Sequence, residues 1–347
     1  MRLADFDYDL PAEAIAQEAI EPRDSARLLV TDTLRDARFH DLPGLLTPGD
    51  LVVVNRTRVR SARVVGTRRD TGGTVELLLL RPIGGGRWTA LARPARRLRH
   101  GVEIVFEGLT ATIDGEVREG VVTVAVADDG VVDLDANVIV DVDDILPTIG
   151  SVPLPPYFRG RLVSDERYQT MFAKSVGSAA APTAGLHFTS AIVAGLRDRG
   201  IAIAEVELDV GLDTFRPITA EDVEGHVIHR ERFEVPAATW EAVEATRSRG
   251  GRVVAVGTTV VRALETAAEL WDGPGEGESD LFIVPGRDLN VTDALVTNFH
   301  APRTTLIVLV ASILGSRWRD VYETALLRGY RFLSFGDAML IPRTGRS

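Results

Sequence analysis

The stretch Ala181-Pro182-Thr183-Ala184-Gly185-Leu186-His187-Phe188-Thr189 sets a histidine among small, flexible and hydroxyl residues, just ahead of a helix signal. Thr189 or Ser190 can cap the first amides of a helix over Ala191–Arg199, and Gly200 can end it. Ile201–Leu208 then alternates apolar residues with Glu205 and Glu207, the period of a strand. His187 is therefore expected on a loop entering a helix, where a side chain can face a ligand.

The same arrangement recurs twice. Arg252–Val256 is a β-branched run, Gly257-Thr258-Thr259 follows it, and Val260–Leu270 has helical periodicity and carries Arg262 and Glu265. Ala294–Thr297 is another short apolar run, followed by Asn298-Phe299-His300 and an apolar helix through Ile313. If the strands are mostly parallel, all three loops lie at one sheet edge, where open α/β sheets bind ligands. One polar loop with a helix cap is ordinary; three with this chemistry point to a site.

The 347 residues are enough to bury a large core and to form two domains. Without cysteine the chain has neither disulfides nor thiolate metal sites. No basic-then-apolar leader opens it, and the longest apolar run, Thr305–Leu314, is too short to span a membrane. A cytoplasmic protein, acting as a monomer and away from membranes, is the expectation.

Val59–Val142 consists of short apolar runs separated by Thr71-Gly72-Gly73, Gly84-Gly85-Gly86, Asp114-Gly115 and Asp129-Gly130. Thr74–Leu80, Trp88–Ala92, Glu103–Phe106, Thr110–Ile113 and Val121–Val126 are of strand length, the pattern of a small barrel or sandwich. From Ala179 onward helices alternate with strands. The change falls near Ile149–Arg159, where Pro153, Pro155 and Pro156 stiffen the chain. The reading is an α/β (α+β) main domain, discontinuous over residues 1–58 and 152–347, with a small β domain inserted at residues 59–151. Within the first segment, Pro11–Gln17 is a helix candidate, and Ala26–Thr31 and Leu51–Val54 are strands. Asp272–Asp280, rich in Gly and Glu, reads as a flexible loop.

A net charge of −11 argues against a general nucleic-acid coat, but the charge is segregated. Twelve arginines face two acids between Val52 and His100, and twelve acids face one arginine between Gly101 and Ile145. Arg56, Arg58, Arg60 and Arg63, then Arg93, Arg96, Arg97 and Arg99, can follow a phosphate backbone. Charge alone equally allows a solvated surface neutralised by the acidic segment.

Six histidines are available to chemistry: His40, His100, His187, His226, His229 and His300. His226 and His229 share a face if helical, which suggests a metal pair or, with Glu231, an acid/base cluster. No further ligand cluster supports metal. No GxGxxG, P-loop or GxSxG occurs, which removes the main warrants for dinucleotide, nucleotide and hydrolase readings. Val210-Gly211-Leu212-Asp213-Thr214-Phe215 follows a strand end and can stack a base on Phe215, although a lone Phe is more often core.

The chain also resembles a known family from end to end. The similarity is carried by Phe6-Asp7-Tyr8-Asp9-Leu10-Pro11, Arg23-Asp24-Ser25-Ala26-Arg27-Leu28, Pro48-Gly49-Asp50-Leu51 and Thr57-Arg58-Val59. It continues through Pro153-Leu154-Pro155-Pro156-Tyr157, Ala181–Thr189, Val256–Arg262, Thr297–His300 and Phe335-Gly336-Asp337-Ala338-Met339. These stretches, in this order, resemble the S-adenosylmethionine:tRNA ribosyltransferase-isomerases of queuosine biosynthesis. The resemblance implies an α/β domain carrying an inserted β-barrel. It also implies S-adenosylmethionine as cosubstrate, tRNA bearing 7-aminomethyl-7-deazaguanine at the wobble position as acceptor, and no metal. The products implied are epoxyqueuosine-tRNA, adenine and methionine.

That chemistry needs groups that titrate near neutrality, which favours His187 or His300 as general base or acid, with His226 and His229 as further candidates. Thr258, Thr259 and Arg262 are expected to hold the methionine carboxylate. Thr183, Gly185, Thr214 and Asn298 are candidate contacts to ribose or base, with Phe215 stacking. Arg56, Arg58, Arg93, Arg96 and Arg97 are candidate tRNA contacts. The chain departs from the family's common His-Val-Gly-x-Gly-Thr-Phe, having Asp209 for the histidine and Asp213 for the second glycine; Gly225 replaces a common aspartate. Two alternatives follow: a paralogue using another acceptor, and a non-catalytic RNA-binding protein.

Overall fold

Leu51–Asn55, Val253–Val256 and Ala294–Asn298 are apolar at nearly every position and fully buried, as a parallel strand covered on both faces requires. A computed structural model describes the chain except residues 119, 129–140, 161, 212–217, 219, 227, 229 and 344–347. Two compact units result, one of Met1–Arg58 with Pro155–Ser347, the other of Val59–Leu154.

The first unit is built on a nine-stranded mixed sheet. Its centre runs Ala202–Leu208, Leu51–Asn55, Val253–Val256, Ala294–Asn298, each parallel to the next. Ala338–Pro342 then lies antiparallel to Ala294–Asn298 and parallel to Arg27–Val30, which is bordered by Arg35–Arg38. On the other side Glu231–Val235 and Gly275–Ser279 complete the order, both antiparallel.

Strand alternation divides the core. Leu51, Val53, Val253, Ala255 and Leu295 join Val260 and Leu264 of the helix Thr258–Trp271 and Val308 of Thr305–Leu314. Val52, Val54, Val254, Val256 and Val296 face the other way, against Ile192 and Leu196 of the helix Ser190–Asp198. Burial of these two apolar layers is the main stabilising force of the unit.

The second unit is a closed barrel. Arg63–Arg68, Thr74–Gly84, Arg87–Arg93, Val121–Asp128, Leu109–Ile113 and Glu103–Phe106 pair antiparallel in that order. Arg63–Arg68 then returns to Glu103–Phe106 and closes the ring. Gly66 sits at the seam, where a Cβ would come within 2.6 Å of Phe106 Cε1 and of the Val105 carbonyl. Alternate residues such as Val64, Leu77, Ala90, Ile104 and Val124 fill the interior.

Several local expectations change. Pro11–Gln17 is not a helix: only Ala12–Ala14 makes a 3-10 turn, with Pro11 before it. Asp272–Asp280 is not a loop throughout, because Gly275–Ser279 forms the edge strand. The Trp271 ring lies over that strand's glycines, and a Cβ at Gly275 would fall 2.5 Å from it. The strand ahead of Ala181–Thr189 is Ser175–Ser178, which pairs with Thr57–Val59 outside the main sheet.

Candidate active site

The parallel run explains how separate loops meet. Gly257 ends one strand with φ +92°, a conformation that glycine adopts without strain, and its amide bonds to the Val296 carbonyl at 2.8 Å. The helix Thr258–Trp271 starts there, so its first amides open at the sheet edge. Asn298 ends the neighbouring parallel strand, and His300 follows two residues on. Ala338–Pro342 runs the opposite way, so the loop before it, through Leu333 and Ser334, arrives at the same edge. Leu333 has φ +69°, strained for leucine, and is pinned by its amide bond to the Phe299 carbonyl at 3.0 Å.

These loops surround a pocket of about 620 Å³, partly open to solvent. Thr183, Thr258, Thr259, Asn298 and His300 line it together with Tyr157, Val210, Thr304, Leu333 and Ser334. No Asp, Glu, Lys or Arg is among the described residues of the lining. The polar groups there are hydroxyls, one amide, one imidazole and backbone.

Asn298 is the hub. Its Oδ1 accepts from Thr183 Oγ1 at 2.9 Å, and its Nδ2 donates to His187 Nε2 at 3.3 Å. His187 in turn donates to the Arg23 backbone carbonyl, which makes Nε2 the acceptor. His187 stacks on Phe39 with ring centroids 4.8 Å apart and does not line the pocket. The histidine that the sequence brings forward is thus one layer behind the wall, orienting Asn298. It stands on a 3-10 turn, Thr183–His187, and Thr189 caps the following helix by accepting from the Ile192 amide at 3.4 Å.

His300 does line the pocket, its Nε2 3.0 Å from Thr297 Oγ1. Its backbone is held between Tyr8, whose hydroxyl donates to the His300 carbonyl at 2.5 Å, and Tyr322, which accepts from its amide at 3.1 Å.

Burial pushes His187 down to about 4, with the nearby Arg331, Arg167 and Arg23 guanidiniums adding to the effect, and pushes His300 down to about 3. Both imidazoles are neutral at pH 7, which removes an imidazolium general acid from the roles offered to them. Below their ordinary value of 6.5 the unfolded chain takes up these protons and the folded chain does not. Stability is therefore full above pH 6.5 and falls as the pH drops toward about 4, by about 1.4 kcal/mol per pH unit for each histidine. Urea midpoints measured from pH 7.5 to 4.5 should show this slope, and His187→Gln should remove its share. A flat profile contradicts two buried neutral imidazoles.

Other expected site residues lie elsewhere. Arg262 is buried and spent: it pairs with Glu231 and donates to the carbonyls of Leu281 at 3.1 Å and Ser279 at 3.2 Å. Gly185 is a packing residue, where a Cβ would sit 3.0 Å from Thr170 Cγ2. His226 is not on a helix; it follows the 3-10 turn Val223–Gly225 in extended conformation, its ring 5.8 Å from Phe282. His229, Thr214, Phe215 and Asp213 lie outside the described residues. The Asp209 carboxylate packs against Gly177, where a Cβ would come 2.5 Å from Oδ1. Tyr157, Leu333 and Ser334 were missed as candidates, although Tyr157 ends the quoted Pro-rich stretch and Ser334 precedes Phe335-Gly336-Asp337.

The arginines divide in two. Arg56 pairs with Glu207 at 2.8 Å and Arg58 with Glu166, so neither is a free cation. In the barrel, Arg60, Arg69 and Arg87 pair with Asp143, Glu103 and Asp114 of the acidic segment. Arg93, Arg96, Arg97 and Arg99 are exposed and make no ion pair among the described residues. Arg96, Arg97 and Arg99 border a broad groove with Arg68, Arg69 and His100.

An α/β unit with a pocket at its strand ends, whose described lining carries no charged side chain, and a β-barrel in the same chain define a two-domain protein built to hold a small molecule. The chain belongs to the queuosine biosynthesis protein family, whose model matches residues 3–341. It is 48% identical to the S-adenosylmethionine:tRNA ribosyltransferase-isomerase of Anaeromyxobacter sp. (strain Fw109-5), covering 99% of both chains. It is 49% identical to the protein of that name from Gloeobacter violaceus, covering 97% of this chain and 94% of the other. The crystal structure of S-adenosylmethionine tRNA ribosyltransferase from Thermotoga maritima superposes with a TM-score of 0.52 at 35% identity, covering 97% of this chain and 99% of that one.

Proposed function

We propose that the protein transfers and isomerises the ribosyl part of S-adenosylmethionine onto 7-aminomethyl-7-deazaguanine at the wobble position of tRNA, in the cytoplasm and without a metal. Epoxyqueuosine-tRNA, adenine and methionine are the products. The observation that carries this reading is the meeting of Thr183, Asn298, His300 and the helix start at Thr258 in one pocket whose described lining has no charged side chain.

A sulfonium in such a pocket meets no carboxylate among the described residues of the lining. Its charge is relieved when a base takes the proton from the adjoining carbon, and again when methionine departs with the electrons of the C–S bond. A site of low dielectric favours steps that neutralise charge. His300, neutral and at the wall, is the proposed proton acceptor. Electrons of the deprotonated carbon expel adenine, which takes a proton as it leaves. The neutral amine of the acceptor base then adds to the sugar, and closure of the epoxide releases methionine.

The methionine carboxylate is assigned to the first amides and hydroxyls of the helix, Thr258 and Thr259, in place of Arg262. Thr183 and Asn298 are assigned to the ribose, and His187 orients Asn298. Exposed Arg93, Arg96 and Arg97 are assigned to tRNA phosphates.

The reading is tested by incubating the protein with S-adenosylmethionine and tRNA carrying the aminomethyl base, then measuring adenine. Release that requires this tRNA is the expected result. Release only with a different acceptor indicates a paralogue, and tRNA binding without release indicates a non-catalytic RNA-binding protein.

A further inference from the structure

One wall of the pocket is backed by a hydroxyl with no use in the proposed reaction. Tyr168 ends the 3-10 turn Asp165–Tyr168 and is 0% exposed, its ring 5.6 Å from Phe335. Among the described residues its hydroxyl has no hydrogen bond of good geometry. The Ala181 amide, the Ser334 hydroxyl and the Tyr157 phenol are its polar neighbours, and all three residues line the pocket. Ser334 and Tyr157 share a hydrogen bond of 2.5 Å in which either oxygen can donate. Folded proteins seldom leave a buried hydroxyl without a partner, because its desolvation then goes uncompensated.

We propose that Tyr168, Ser334 and Tyr157 form a directional chain of hydroxyls that presents one donor to a neutral acceptor on the nucleoside half of bound S-adenosylmethionine. The proposal rests on the reading of the pocket as the S-adenosylmethionine site. Each hydroxyl has a single proton, so the far end of the chain sets its direction. When Tyr168 donates to Ser334, Ser334 donates to Tyr157, and the Tyr157 proton is left for the ligand. Such a chain also strengthens along its length. Without the Tyr168 hydroxyl, Ser334 is free to accept from Tyr157, and the pocket loses that donor.

Charge decides which half of the ligand it serves. Burial raises the proton affinity of both phenols, so the chain stays neutral. The carboxylate finds positive potential at the helix start instead. A ribose oxygen or an adenine ring nitrogen suits a neutral phenol.

The test is Tyr168→Phe, with calorimetric titration of S-adenosylmethionine, adenosine and methionine, and an unfolding temperature for the free protein. S-adenosylmethionine and adenosine should bind about tenfold more weakly, while methionine binding is unchanged. The free variant should melt no lower than wild type, and about 1–2 °C higher if the unpaired hydroxyl is the whole effect. Ser334→Ala should weaken adenosine in the same direction. Unchanged adenosine affinity overturns the chain, as does a fall in melting temperature for Tyr168→Phe large enough that the weaker binding follows from lost folding. An equal loss for methionine overturns the nucleoside assignment. A wild-type protein that binds no S-adenosylmethionine removes the underlying reading instead.

Discussion

Asn298→Leu should release adenine about a hundred- to a thousandfold more slowly than wild type, the effect of removing an oriented polar group from the wall of a reaction site. The residue joins two elements: it ends a sheet strand, and it accepts from Thr183 and donates to His187 at the two ends of one 3-10 turn. Leucine keeps the volume but leaves the Thr183 hydroxyl and His187 Nε2 without partners. Each loss costs about 1–3 kcal/mol, so stability should fall together with turnover. Single-turnover adenine release and urea unfolding separate the two. Thr183→Val removes only one arm of the network and should be milder in both. If Asn298→Leu turned over within threefold of wild type, Asn298 would not be a substrate contact.

Arg262→Leu should cost about 3–5 kcal/mol of stability, the penalty for leaving one charge of a buried pair alone. Glu231 would lose the Arg262 guanidinium while still accepting from the Gly211 amide at 2.7 Å. Urea unfolding followed by tryptophan fluorescence measures the loss. The double variant Arg262→Leu with Glu231→Leu should recover much of it, since no charge is then stranded. That double variant should also keep wild-type affinity for S-adenosylmethionine. A large loss of affinity in it would return Arg262 to the carboxylate site from which its present partners exclude it.

These two residues show where reading the chain succeeds and where it stops. Asn298 stands out in sequence because a polar residue directly after a buried apolar run must lie at a strand end. Arg262 looked equally suitable, four residues into a helix whose start faces the ligand. Its side chain is instead drawn to Glu231 and to the carbonyls around Ser279, partners supplied by the last two strands on that side of the sheet. One of those strands, Gly275–Ser279, does not read as a strand because glycine and glutamate are poor strand formers. Trp271, covering both glycines, makes up for that weakness only once the helix is docked.

Ala181–Thr189 gives a similar lesson. Its histidine was the most conspicuous candidate, yet Asn298 stands between the ring and the pocket. Local composition marks a site but does not say which polar group is in front. The missing wall came from Tyr157 and Ser334, more than 20 residues before that loop and more than 30 after Asn298. Only the antiparallel strand Ala338–Pro342, which reverses direction beside the parallel strands, brings Ser334 to the ligand edge.

By itself the sequence determined the parallel α/β core, the β domain inserted within it, and the loops that come to line the pocket. Those features follow from the periodicity of burial and from turn residues, which act over a few positions. The tertiary structure alone decided which arginines are spent in ion pairs and which remain exposed. It also decided that the described lining of the pocket carries no charged side chain, and that His187 supports where His300 faces. Pairing and exposure depend on groups brought together from distant parts of the chain, and no local pattern records those encounters.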